Sequence, residues 1–227
     1  SDLDAVQLFM AALVQSGAHV HASKLEHRQH QKGPKAAIED RDLAGREIVR
    51  GGFLAVDPRP RFPPFAVDCG DGVRLLALVA TQADAGRPPS DRLAVLLHGW
   101  EGSSESLYVL SVAQLLHERG FAVMRLNLRD HGGSHALNEG LFHSCRLQEV
   151  ADAVKAVIQK FQPPQVMVAG YSLGGNFSLR LALAARRQNL PLAAAFAICP
   201  PVDPSQVMRQ LERGPPLYHW YFMRKWR

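Results

Sequence analysis

A chain of 227 residues, 47% hydrophobic and 21% charged, has the size and make-up of one globular domain, which excludes a disordered segment. Its formal net charge of +5 comes with no nucleic-acid reading motif, so nucleic-acid binding is excluded as well. Three scattered cysteines (Cys69, Cys145, Cys199) make neither a disulfide framework nor a zinc spacing, which predicts reduced thiols and a cytoplasmic protein.

Residues 1–16 read as a helix capped by Ser1 or Asp2, with Leu3, Val6, Met10 and Leu13 at helical spacing. Because the first residue is Ser1 and not methionine, a processed or excised chain is expected. About two dozen polar residues follow, carrying His19, His21, His27 and His30. His27 and His30 suggest a metal site, but Glu26 is the only nearby carboxylate and no core pattern surrounds them, so a surface linker is the better reading. Residues 1–42 are therefore assigned to an N-terminal helix and polar extension, and 43–227 to the folded core. No apolar run reaches the ~18 residues a membrane span needs, and the start lacks a signal-peptide pattern.

Within the core, residues 48–56 and 65–69 read as short strands broken by Pro58-x-Pro60 and Pro63-Pro64. Asp71-Gly72 is a hairpin signal that leads into a strand over 73–80. The unbroken apolar run 93–97 suits a buried parallel strand. It ends in His98-Gly-Trp-Glu-Gly-Ser-Ser104, where Ser103 or Ser104 is expected to cap a helix whose Val109, Val112, Ala113 and Leu116 share one face. A strand over 121–127 precedes a long loop with Asp130-His-Gly-Gly-Ser134, then a helix marked by Val150, Val154, Val157, Ile158 and Phe161. A strand over 166–170, a helix from Asn176 and a strand over 192–199 complete the alternation, with Cys199 expected as a small core residue. Such alternation predicts an α/β fold, a mostly parallel sheet with helices on both faces. It also places the loops 98–104, 128–145 and 170–175 at the carboxyl edge of that sheet, where ligands sit.

Between strand and helix lies Gly170-Tyr-Ser172-Leu-Gly174, the pattern of a nucleophile elbow. A strand turning directly into a helix strains the middle residue, and glycines two positions either side are expected to permit it. Ser172 is then the candidate nucleophile, standing at the positive end of the new helix. Oxyanion donors would be the backbone N–H groups of Leu173 and, after the earlier strand, Trp100, with Gly99 letting the chain turn. His98 reads as a loop brace and not a base.

Four stretches, His98-Gly-Trp-Glu-Gly-Ser-Ser-Glu-Ser106, Asn127-Leu-Arg-Asp-His-Gly-Gly-Ser134, Leu141-Phe-His-Ser144 and Gly170-Tyr-Ser-Leu-Gly-Gly-Asn176, resemble the α/β-hydrolases, and most nearly their YheT-like esterase and lipase branch. Residues 217–225 are similar to the beginning of that branch's cap. The resemblance covers roughly residues 65–227. It implies a serine hydrolase cleaving small-molecule carboxylic esters, of short-chain or acylglycerol type, through an acyl-enzyme on Ser172, with Trp100 and Leu173 lining the oxyanion hole and no cofactor or metal.

The chain departs from that pattern in two ways. The resemblance implies a triad acid and histidine on loops after later strands, so the C-terminal strands are expected to be missing. Downstream of Ser172 only Asp203 and His219 could serve, and they are weak candidates. Asp130 stands where the resemblance implies glycine, and either a helix-capping or a loop-bracing contact is expected of it; His131 and His143 are expected to brace their loop. A rival expectation is a non-catalytic α/β-hydrolase-fold binding module without a complete triad. Residues 204–227 hold five basic side chains against one acid, Glu212, together with Tyr218, Trp220, Tyr221, Phe222 and Trp226. That mixture allows peripheral membrane contact through 215–227, although a solvated helix packing on the domain is the preferred reading.

Overall fold

The computed structural model describes residues 64–225. The expected helix over 1–16, the histidine-bearing extension, the strand over 48–56 and the boundary at residue 43 all lie outside the described residues. Eleven regular elements follow: β1 Phe65–Asp68, β2 Arg74–Ala80, β3 Arg92–Leu97, α1 Leu107–Glu118, β4 Ala122–Leu126, α2 Leu147–Phe161, β5 Gln165–Tyr171, α3 Leu173–Gln188, β6 Leu192–Ile198, α4 Pro204–Arg213 and α5 Pro216–Lys225. The six strands form one sheet in the order β1-β2-β4-β3-β5-β6. β1 and β2 pair antiparallel, β2 joins β4 antiparallel, and β4, β3, β5 and β6 run parallel.

The apolar run of β3 is central because both of its faces are covered. Leu93, Val95 and Leu97 point into a core shared with Val150, Val154 and Val157 of α2 and Phe177 and Leu181 of α3. Ala94 and Leu96, on the opposite pleat, meet Val109, Val112 and Leu116 of α1 and Phe121. Alternation of period two along one strand thus builds two cores. Each large side chain buried there contributes about 1.5–3 kcal/mol of transfer free energy.

The hairpin signal resolves into a turn in which Gly70, Asp71 and Gly72 all have positive φ (82°, 49° and 75°). Two expectations are corrected. Helix α1 is N-capped by Ser106, not by Ser103 or Ser104. Ser104 is instead buried, and its amide donates to the Asn127 side chain at 2.7 Å, so tertiary contact has claimed it. Cys199 is exposed, not a core residue, with φ of 48°. β6 ends one residue earlier and pairs on one side only, so the chain beyond it lies outside the core. Among the described residues, no helix is long and apolar enough to cross a membrane.

Candidate active site

The elbow is built by close approach of backbones. Ser172 is exposed, caps the N-terminus of α3, and has φ 50° and ψ −116°. This is a sparsely populated conformation that costs on the order of 1–3 kcal/mol unless its surroundings fix it. They do: the Ser172 amide donates to the Ile198 carbonyl at the end of β6 (2.8 Å), and the Ser172 carbonyl accepts from the Asn176 amide (3.0 Å). The flanking glycines serve a purpose other than the expected one. Neither is among the residues with positive φ. A Cβ on Gly170 would collide with the backbone of Gly174, and one on Gly174 would run into the carbonyls of Leu97 and His98. Glycine is needed so that helix, elbow and the end of β3 can touch, while the strain sits on the serine itself.

That contact brings the loop after β3 to the serine. A Cβ on Gly99 would lie 3.3 Å from the Tyr171 carbonyl and 3.4 Å from Ser172 Cβ. The Gly99 carbonyl accepts from the Gly102 amide at 3.0 Å and lies 2.7 Å from His98 Nδ1. Since the intervening peptide is trans, the Trp100 N–H is directed away from that carbonyl. Leu173 is the first residue of α3, with its side chain packed on the core and its N–H at the positive end of the helix.

His98 is fully buried. Its Nε2 accepts the Leu128 amide (3.1 Å), so the proton resides on Nδ1, which donates to Gly99. Burial pushes its pKa down to about 4. A neutral ring with both nitrogens engaged ties two loops together and has no free base to offer. His131 is also buried, its ring packed on His98 at 4.9 Å and edge-on to Phe142 at 5.1 Å, with Nδ1 2.7 Å from the Arg129 carbonyl. Asp130, at φ 61°, accepts the Phe142 amide at 2.6 Å and so closes the loop across its mouth. His143 stands exposed.

A polar ladder runs on from the end of β4, and no sequence motif marks it. Arg125, Asn127 and Arg129 are all buried. Arg125 donates to the Ser104 carbonyl and to Glu105 (both 2.9 Å), and Asn127 bonds Ser104 through its amide and hydroxyl. Arg129 forms a bidentate pair with Glu149 of α2 (2.6 and 3.1 Å) and donates to the Glu139 carbonyl. Polar residues at every second position past an apolar strand were the available signal.

A cleft of about 1160 Å³ opens between the loops so fixed, walled by Trp100, Glu101, His131, Leu141 and Phe142. Ser172 is not among its lining residues; the two are linked by the loop after β3, which lines the cleft from Trp100 to Gly102 and approaches the serine at Gly99. Of the two downstream triad candidates, Asp203 N-caps α4. Its Oδ1 accepts from the Ser205 and Gln206 amides and the Ser205 hydroxyl, which hold its carboxyl below the usual range, the hydroxyl contributing most. His219 is exposed on α5. Among the described residues, no group of three or more His, Cys, Asp or Glu side chains is placed to hold a metal ion.

The family model described as alpha/beta hydrolase fold matches residues 94–227. YheT of Escherichia coli (strain K12), named as a candidate esterase, is 27% identical over 120 residues, or 53% of this chain and 35% of that protein. YisY of Bacillus subtilis (strain 168), an AB hydrolase superfamily protein, is 33% identical over 89 residues, or 39% and 31% of the two chains. The chain thus spans about a third of the length of these curated relatives. Among solved structures, the Pyrococcus furiosus esterase Pf2001 superposes with a TM-score of 0.58 over 76% of this chain and 63% of its own, at 19% identity, a likeness of fold.

Proposed function

The chain belongs to the α/β-hydrolase fold family, and from that premise we propose that it carries the nucleophile and oxyanion hole of a serine esterase. Ser172 Oγ attacks the carbonyl carbon of a small-molecule carboxylic ester, giving up its proton to a general base. The negative oxygen so formed is held by the N–H groups of Leu173 and Trp100. The C–O bond to the alcohol then breaks, the alcohol leaves with the proton, and water repeats the attack on the acyl-enzyme to free the acid. The single observation that carries this reading is an exposed serine in a strained strand-to-helix turn, with the loop after β3 so near that a Cβ on Gly99 would lie 3.4 Å from the serine Cβ.

We assign the base and its acid partner outside the described residues: both ring nitrogens of His98 are engaged, Nδ1 of the buried His131 is tied to the Arg129 carbonyl, and Asp203 caps its own helix. Trp100, Leu141 and Phe142 favour an apolar acyl group, as in short-chain or acylglycerol esters. The chemistry needs no cofactor. Exposed Leu217 and Trp220 beside Arg224 on α5 support a peripheral membrane contact as a secondary role.

The test is a fluorophosphonate probe on the full-length protein. Stoichiometric labelling that vanishes in Ser172→Ala is expected. Absence of labelling in folded protein would favour a non-catalytic binding module, a reading to which the engaged histidines lend support.

A further inference from the structure

Tyr108 is in the first turn of α1, ten residues past His98, and no motif singles it out. Its hydroxyl nevertheless reaches into the turn that carries Trp100. The Gly99 amide donates to Tyr108 Oη at 3.0 Å. A Cβ on Gly102 would come within 2.6 Å of that oxygen, so the hydroxyl fills the concave side of the turn, and glycine at 102 makes room for it. The ring of Tyr108 packs on that of Tyr171, the residue before Ser172, with centroids 4.7 Å apart. One side chain therefore touches both segments that carry the proposed oxyanion donors, next to Trp100 through Gly99 and at the elbow through Tyr171.

We infer that Tyr108 is a positioning residue that sets the Trp100 N–H relative to Ser172, by gripping the Gly99 amide with its hydroxyl and the elbow with its ring. The inference rests on the esterase reading for its catalytic meaning. His98 fixes the Gly99 carbonyl and Tyr108 its amide, so the Gly99 peptide units are held from both sides. Removing one hold lets the turn rotate, and with it the direction of the Trp100 N–H.

The experiment uses the full-length protein and Tyr108→Phe, which keeps the ring and deletes the acceptor. Turnover is compared on a 4-nitrophenyl ester and on its thionoester, whose sulfur accepts hydrogen bonds weakly and so profits little from oxyanion donors. Expected is a fall in kcat of about 10-fold on the oxygen ester with KM within about twofold, and a drop of similar size in the oxygen-to-sulfur rate ratio. Amide exchange over residues 98–104 should quicken while the β5–α3 segment stays protected. Gly102→Ala displaces the hydroxyl and also presses on the Gly99 carbonyl, 2.9 Å from the added Cβ, so it should change the ratio by at least as much and provides a second route if Tyr108→Phe folds poorly. Equal losses on both esters, or an unchanged ratio, would overturn the inference. If the wild type turns over neither ester, the esterase reading fails, and exchange over 98–104 decides alone: no change in Tyr108→Phe would overturn the role of the tyrosine too.

Discussion

Ser172 bears the strain of the elbow, and His98 bears its electrostatic constraint. The serine is exposed and carries the proposed chemistry, so Ser172→Ala should lower ester turnover by at least about 10³-fold while leaving the melting temperature close to wild type. His98 acts through burial. Its folded pKa of about 4 lies below the 6.5 of the unfolded chain, so between those values the unfolded state binds a proton that the folded state refuses. Stability should therefore be complete above about pH 6.5, fall as the pH drops toward 4, and level off below. The loss from this group is on the order of 3 kcal/mol. Urea midpoints at pH 7 and pH 4.5 measure it, and His98→Gln should flatten the difference. Asp84 and Asp203 titrate below their ordinary 3.8, so their acid losses fall lower on the pH scale.

For the elements, the decisive contacts are those of helix α3 with the ends of β3 and β5. Gly174→Ala should cost roughly 1–3 kcal/mol or more, since its methyl group meets the fixed carbonyls of Leu97 and His98. Gly133→Ala is the control: nothing lies within 4 Å of its Cβ, and only a φ of 81° opposes it, for about 1–2 kcal/mol. The two denaturation midpoints separate crowding from backbone strain. Helix α4 supplies a test of a different kind. Its N-cap is Asp203, and Asp203→Ala should speed amide exchange in the first turn of α4 while leaving ester turnover at the wild-type level. Loss of turnover there would restore Asp203 as a triad acid.

Across the whole molecule, the candidate site depends on loops from different parts of the chain meeting at one edge of the sheet. The long loop after β4 is secured to α2 by the Arg129–Glu149 pair, whose side chains are 4% and 11% exposed. Glu149→Gln would leave a buried guanidinium without its charge partner and should cost about 3–5 kcal/mol. Calorimetry checks the loss, and labelling at Ser172 should slow as the cleft wall at Leu141 and Phe142 loosens.

The parallel core, the strand–helix alternation and the elbow were legible in the sequence because they rest on local signals. An apolar run of five residues, a helical stripe in α2 and a glycine-serine-glycine spacing are each decided within a few positions. Which serine caps α1, why Gly170 and Gly174 must be glycine, and that Cys199 stays outside were decided only by tertiary contact. So were the burial of Arg125, Asn127 and Arg129 and the grip of Tyr108 on Gly99. These depend on distances between segments separated by nine to more than seventy residues, and such distances exist only once the sheet order β2-β4-β3-β5 has brought the strand ends side by side.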